Sequence, residues 1–112
     1  MMTVAETFRG LSDPIRLEMV RRLSDGSSHT IGALSDGLGL TRQGARKHLQ
    51  VLADVNLVSL QTKGRQTEVK LDPISLASAK TFIAELETRW EHRLVALREF
   101  VEKDSSISTH PH

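Results

Sequence analysis

The sequence predicts a mainly α-helical fold with one small β-hairpin and a long final helix. Three observations carry this. Residues 41–55, TRQGARKHLQVLADV, put Ala45, Leu49 and Leu52 on one helical face with His48 and Val55 beside them. Residues 58–71 alternate apolar and polar side chains on either side of a glycine. From Leu76 to Val101, apolar residues recur every 3 or 4 positions without a break.

The elements follow in order. Val4, Phe8 and Leu11 mark a short amphipathic first helix. Asp13 can cap a second helix, with Pro14 at its first position, where the missing N–H costs nothing. Ile15, Met19, Val20 and Leu23 give that helix a core face, and Asp25-Gly26 stops it. Residues 27–29 form a polar connector with room for a minimal strand. Thr30 caps a third helix with Ile31, Ala33, Leu34 and Leu38 as its apolar contacts, and Gly37 and Gly39 bracket its end. Thr41 caps the fourth helix, and Asn56 is suited to a left-handed stop after Val55. Val58–Gln61 and Thr67–Leu71 read as paired strands around a tip that carries Lys63, Gly64 and Arg65. Asp72-Pro73 opens the last helix, whose stripe of Leu76, Ala79, Ile83, Leu86, Trp90, Leu94, Leu97 and Val101 is close to a coiled-coil seam. So small a domain cannot bury that whole stripe, and a symmetry mate is its simplest cover. The expected organisation is one domain over 1–103 and a disordered tail over 104–112.

Composition narrows the class. The chain has 112 residues, a formal net charge of +1 and no cysteine, which excludes disulfides and thiolate metal sites. The charge is uneven: residues 13–70 hold nine Lys/Arg against six Asp/Glu, and residues 71–112 hold five against seven. No stretch approaches the roughly twenty apolar residues of a membrane span, and MMTVAETFRG lacks the apolar run of a signal peptide. A soluble, cytoplasmic protein is expected.

The fourth helix carries the functional argument. Opposite its apolar stripe lie Gln43, Arg46, Lys47 and Gln50, flanked by Arg42, within the first turns after the Thr41 cap. Such side chains pair with base edges or neutralise phosphates, and the start of a helix is where major-groove contacts are made. A solvated face with incidental cations is the competing reading. Two helices joined by a short glycine-containing turn, the second bearing cations, fit a helix-turn-helix. The hairpin tip, with Lys63 and Arg65, then fits a wing reaching an adjacent phosphate or minor groove.

In this order of elements the chain resembles the ArsR family of bacterial winged-helix repressors over about residues 5–102. The residues that carry the resemblance are Ser12-Asp13-Pro14-Ile15-Arg16-Leu17, Leu40-Thr41-Arg42, Lys47-His48-Leu49-Gln50-Val51-Leu52, Asn56-Leu57-Val58, Gly64-Arg65 and Leu71-Asp72-Pro73. Trp90, Arg93, Leu94 and Leu97 further resemble a subgroup with a Trp-x-x-Arg-Leu pattern in the last helix. The resemblance implies a homodimer on a near-palindromic operator in double-stranded DNA, with dimer contacts from the first and last helices. Val4, Phe8, Ile83, Leu86, Trp90, Leu94 and Leu97 are the candidates for those contacts. Three departures matter. The third helix lacks the cysteine pair of the arsenic and cadmium sensors, and the last helix lacks the aspartate/histidine spacing of zinc-type sites. Gln43-Gly44 stands where the family usually has a proline–alanine or similar pair. The glycine weakens the helix start and either lets it approach the DNA backbone closely or does nothing.

No cofactor and no metal site is assigned. His92 with Glu85, and His110 with His112, are the only conceivable ligands, and they form no cluster. A metal-responsive repressor using such His/Glu ligands is the narrower alternative, and a winged-helix module for protein–protein assembly the broader one. His48 reads as a packed or backbone-bonded residue before a base reader. Arg16 reads as either a phosphate contact or a surface salt bridge. Phe8, Phe82 and Trp90 read as packing before a ligand pocket. No glycine-rich phosphate loop, nucleophile motif or catalytic His/carboxylate spacing points to an enzyme.

Overall fold

The structure, a computed structural model, describes the backbone of residues 3–108 and the side chains of residues 3–103. Local chemistry starts each helix. Helix α1 (Val4–Gly10) opens on a capping box in which the Thr3 hydroxyl accepts from Glu6 N at 3.1 Å and Glu6 Oε2 accepts from Thr3 N at 2.9 Å. Helix α2 (Pro14–Leu23) has Asp13 as its cap, Oδ1 accepting from Ile15 N and Arg16 N, with Pro14 at its first position as the sequence predicts. Strand β1 (His29–Thr30) runs straight into helix α3 (Ile31–Ser35), capped by Thr30. Helix α3 is shorter than expected. Asp36 leaves the helical region at ψ 127, so Leu38 sits in the turn, where Gly37 and Gly39 take positive φ.

Helix α4 (Arg42–Asp54) is capped by Thr41 and followed by Asn56 at φ 59, the left-handed stop. Strands β2 (Val58–Lys63) and β3 (Gln66–Leu71) are longer than the sequence suggested. Lys63 pairs with Gln66, leaving Gly64-Arg65 as a two-residue turn. Gly64 takes φ +62 at the first turn position, which a type II′ turn reserves for glycine. The hairpin expectation is thus extended: β1 joins β3 antiparallel, so the sheet has three strands in the order β1-β3-β2. The second-strand edge and turn apart, every layer feeds one core. Met19 and Leu23 of α2, Ile31 and Leu34 of α3, Ala45, Leu49 and Leu52 of α4, then Val55, Leu57, Val58 and Val69 are all buried.

Two arginines of α2 finish the ends of neighbouring helices. Arg16 Nε donates to Gly10 O at 2.6 Å, a carbonyl at the open end of α1, and Nη2 to Arg9 O at 3.3 Å, which Ser12 also bonds. Arg22 Nη1 does the same for α3, donating to Ala33 O, Leu34 O and Asp36 O, while its Nε meets Glu18. Arg16 therefore makes no surface salt bridge among the described residues and holds backbone carbonyls instead. A guanidinium fork can serve two carbonyls at once, and an isolated reading of α2 does not reveal their positions.

Helix α5 (Pro73–Ser108) runs past the boundary expected at residue 103. The rest of the expected tail, with His110 and His112, lies outside the described residues. Residues 1–79 and 80–112 form two compact units. In the first, the start of α5 is anchored by Ser75, whose buried hydroxyl donates to Val55 O at 3.2 Å. In the second, the stripe is exposed: Ile83, Leu86, Trp90, Leu94, Leu97 and Val101 each keep more than two-fifths of their accessible surface. No helix among the described residues is long and apolar enough to cross a membrane.

Candidate nucleic-acid interface

The two faces of α4 divide as the sequence predicts. Ala45, Leu49 and Leu52 are fully buried, which fixes the rotation of the helix. Thr41, Arg42, Gln43, Arg46, Lys47 and Gln50 are consequently turned to solvent. The Thr41 hydroxyl accepts from Gly44 N at 3.0 Å. A Cβ at residue 44 would stand 3.2 Å from that hydroxyl, so the glycine leaves room for the cap. His48 is half-buried and its Nδ1 accepts from Arg16 Nη1 at 3.2 Å, a packed histidine tied to a side chain rather than to the backbone.

The fold brings three of the candidate cations together. Arg42 and Arg46 of α4 and Arg65 of the wing turn line one cleft of about 180 Å³ with Thr30, Ile31, Gly32, Gln66 and Thr67. The other candidates lie outside this cleft. Gln50 donates to Asp54 Oδ1 at 2.9 Å along its own helix. Lys63, exposed on the wing, stands 3.7 Å from Glu68 across the hairpin. Nothing local in the sequence marks Thr30, Gly32, Gln66 or Thr67 as neighbours of the arginines. They arrive there because β1 docks on β3, a pairing of residues forty apart in the chain (His29 with Val69).

Of the dimer candidates, Val4 and Phe8 are half-buried in the first unit, and Ile83, Leu86, Trp90, Leu94 and Leu97 are exposed on α5. Among the described residues no group of three or more histidine or acidic side chains is placed to hold a metal ion. His29, expected as an ordinary loop residue, meets Asp25 at 3.0 Å and the Ser27 hydroxyl at 3.1 Å. Both contacts use the same nitrogen, Nε2, whereas a catalytic relay places acid and hydroxyl on opposite ring nitrogens. Asp25 is held down at about 2, first by the Ser27 backbone N–H, then by the His29 and Ser27 side chains. The cluster is a turn lock.

Residues 11–61 match the family described as a helix-turn-helix domain. Among solved structures, an ArsR family transcriptional regulator superposes with a TM-score of 0.73 at 23% identity, over 81% of this chain and 97% of that one. An ArsR-like transcriptional regulator from a Rhodococcus species gives 0.70 at 26% identity, over 87% and 91%. The chain has the ArsR winged helix-turn-helix fold. The transcriptional repressor BigR from Xylella fastidiosa superposes less closely, with a TM-score of 0.58 at 26% identity over 76% and 83%. A comparison with curated proteins finds no match. In ArsR terms α3 and α4 are the helix-turn-helix, β2 and β3 the wing, and α5 the long final helix. Domain and fold are those of a DNA-binding transcription regulator, not of an enzyme.

Proposed function

We propose that the chain is a cytoplasmic, homodimeric repressor that occupies a near-palindromic operator in double-stranded DNA and blocks transcription there. The observation that carries this reading is the solvent face of α4: five long polar or cationic side chains on a helix locked in rotation by three fully buried ones. Arg42, Gln43, Arg46, Lys47 and Gln50 contact bases or phosphates from the major groove. A well-formed bidentate pair from Arg or Gln discriminates by about 1–3 kcal/mol. Lys63 and Arg65 at the wing reach the flanking backbone. A second copy covers the exposed stripe of α5, and its α4 reads the other half-site, one helical turn away. The repressor role of the Xylella neighbour supports the direction of regulation.

The test is a gel shift on DNA upstream of the gene, with random competitor and at two salt concentrations. A competitor-resistant complex that weakens with salt is expected. The Arg46→Ala/Lys47→Ala pair should lower the log–log salt slope by about 2. No complex at low salt would defeat the reading and favour a protein–protein module.

A further inference from the structure

Arg9 of α1 aside, the arginines of the first unit fall into two groups. Those of α2 are occupied: Arg16 by carbonyls and His48, Arg21 by Glu18, and Arg22 by Glu18 and the end of α3. Arg42, Arg46 and Arg65 have no ion pair or hydrogen bond among the described residues, yet all three line the same cleft. The remaining lining is Thr30, Ile31, Gly32, Gln66 and Thr67, with no carboxylate. Glu68, the only acid between residues 58 and 71, is engaged by Lys63. Like charges gathered without a counter-charge repel, and the described residues offer none here. Guanidinium forks flanked by hydroxyl and amide donors match a tetrahedral oxyanion, whose oxygens accept several charge-assisted bonds at once.

We infer that the cleft between α4 and the wing, walled by Arg42, Arg46 and Arg65, is a binding site for one phosphate group. Two sources supply that chemistry: a backbone phosphate of bound DNA, or a free phosphate-bearing small molecule. The inference deepens the DNA reading in the first case and stands without it in the second. Gly32 gives a way to close the site without touching an arginine. A Cβ there meets only the Thr30 hydroxyl oxygen, at 4.0 Å, and an acid suits the first turn of α3. Gly32→Glu should therefore fold normally and place a carboxylate among the arginines.

The experiment titrates inorganic pyrophosphate into the full chain at constant ionic strength and follows the arginine side-chain Nε–H signals by NMR. Random-sequence duplex DNA is then titrated with and without pyrophosphate. Saturable shifts confined to Arg42, Arg46 and Arg65 are expected. Binding should weaken about tenfold or more in Gly32→Glu and in Arg65→Gln, with thermal midpoints no lower than that of the unmodified protein. Pyrophosphate that also displaces DNA from the unmodified protein, with the DNA salt slope of Arg65→Gln lower by about one, assigns the site to the DNA backbone. Saturation without displacement assigns it to a free ligand. Saturation by a protein that binds no DNA at all keeps the site and defeats the DNA reading. Linear, variant-independent shifts together with an unaltered salt slope overturn the inference.

Discussion

Arg16 and His48, thirty-two residues apart in sequence, are joined by a 3.2 Å hydrogen bond from the guanidinium Nη1 to the imidazole Nδ1. Arginine only donates, so His48 accepts at Nδ1 and, when neutral, carries its proton on Nε2. Because Nε and Nη2 of Arg16 hold the last carbonyls of α1, one side chain links α1, α2 and α4. Arg16→Ala should cost about 1–3 kcal/mol of unfolding free energy. Arg16→Lys should recover little, because an ammonium cannot hold all three acceptors in their fixed fork geometry. A double-mutant cycle with His48→Ala, read by urea unfolding, isolates the coupling. Strict additivity would show that the bond contributes nothing.

At Gly10, α1 lies tightly against the core. A Cβ there would stand 2.6 Å from Val55 Cγ2 and 3.3 Å from Leu57 Cδ1. Gly10→Ala should destabilise the protein by about 1–3 kcal/mol through overpacking. In a Val55→Ala background most of that penalty should vanish, since the offending methyl is gone. An equal penalty in both backgrounds would assign the effect elsewhere.

Asp25 gives the fold an acid-sensitive turn. Its carboxyl lies at about 2 in the folded chain against an ordinary 3.8. A depressed folded value means the stabilisation is complete above 3.8 and is lost as pH falls from there towards 2. The difference in thermal midpoint between the protein and Asp25→Asn should be steady from pH 5 upwards, about one unit above the usual carboxylate range, and should shrink towards zero near pH 2. A pH-independent difference would exclude the charged carboxylate as the cause.

The stripe on α5 supports a prediction about assembly. Leu86 and Trp90 are 49% and 59% exposed. Leu86→Glu should convert a dimer into a monomer in sedimentation experiments. Trp90 is the only tryptophan, so its emission should move to longer wavelength in that variant and on dilution of the unmodified protein. A monomer at all concentrations would remove the dimer from the proposed function.

What the sequence shows of this fold is what short-range chemistry determines. Asp13 before Pro14, Thr41 before Arg42 and Asn56 after Val55 each act on groups within a few residues, so their roles are legible before any packing is known. The buried and exposed faces of α4 follow from periodicity alone. Arg16 and Arg22 are opaque for the opposite reason: the carbonyls they hold lie six to fourteen residues away, outside α2, and His48 lies thirty-two from Arg16. The third strand was hard to read because two residues carry no periodicity, and His29 becomes a strand residue only by meeting Val69. The three-arginine cleft is hidden in the same way. Arg42 and Arg46 declare themselves as one helix face, but their meeting with Arg65 depends on where the wing lands.

Strand β3 is bonded along both edges: Val69 faces His29 on one side and Leu60 on the other, and Glu68 faces Thr30 and Gln61. Since Thr30 is also the cap of α3, the stem of the wing and the start of the helix-turn-helix share a residue, which should couple their opening. Beyond Glu68 the hairpin has only its own partner strand, and its Gly64-Arg65 turn lies in solvent. In amide exchange the stem should follow the slow, cooperative opening of the core, while the tip exchanges through its own fast, local one. The wing is thus a stiff arm with a compliant fingertip, able to follow a curved surface while its root keeps the helix-turn-helix in register.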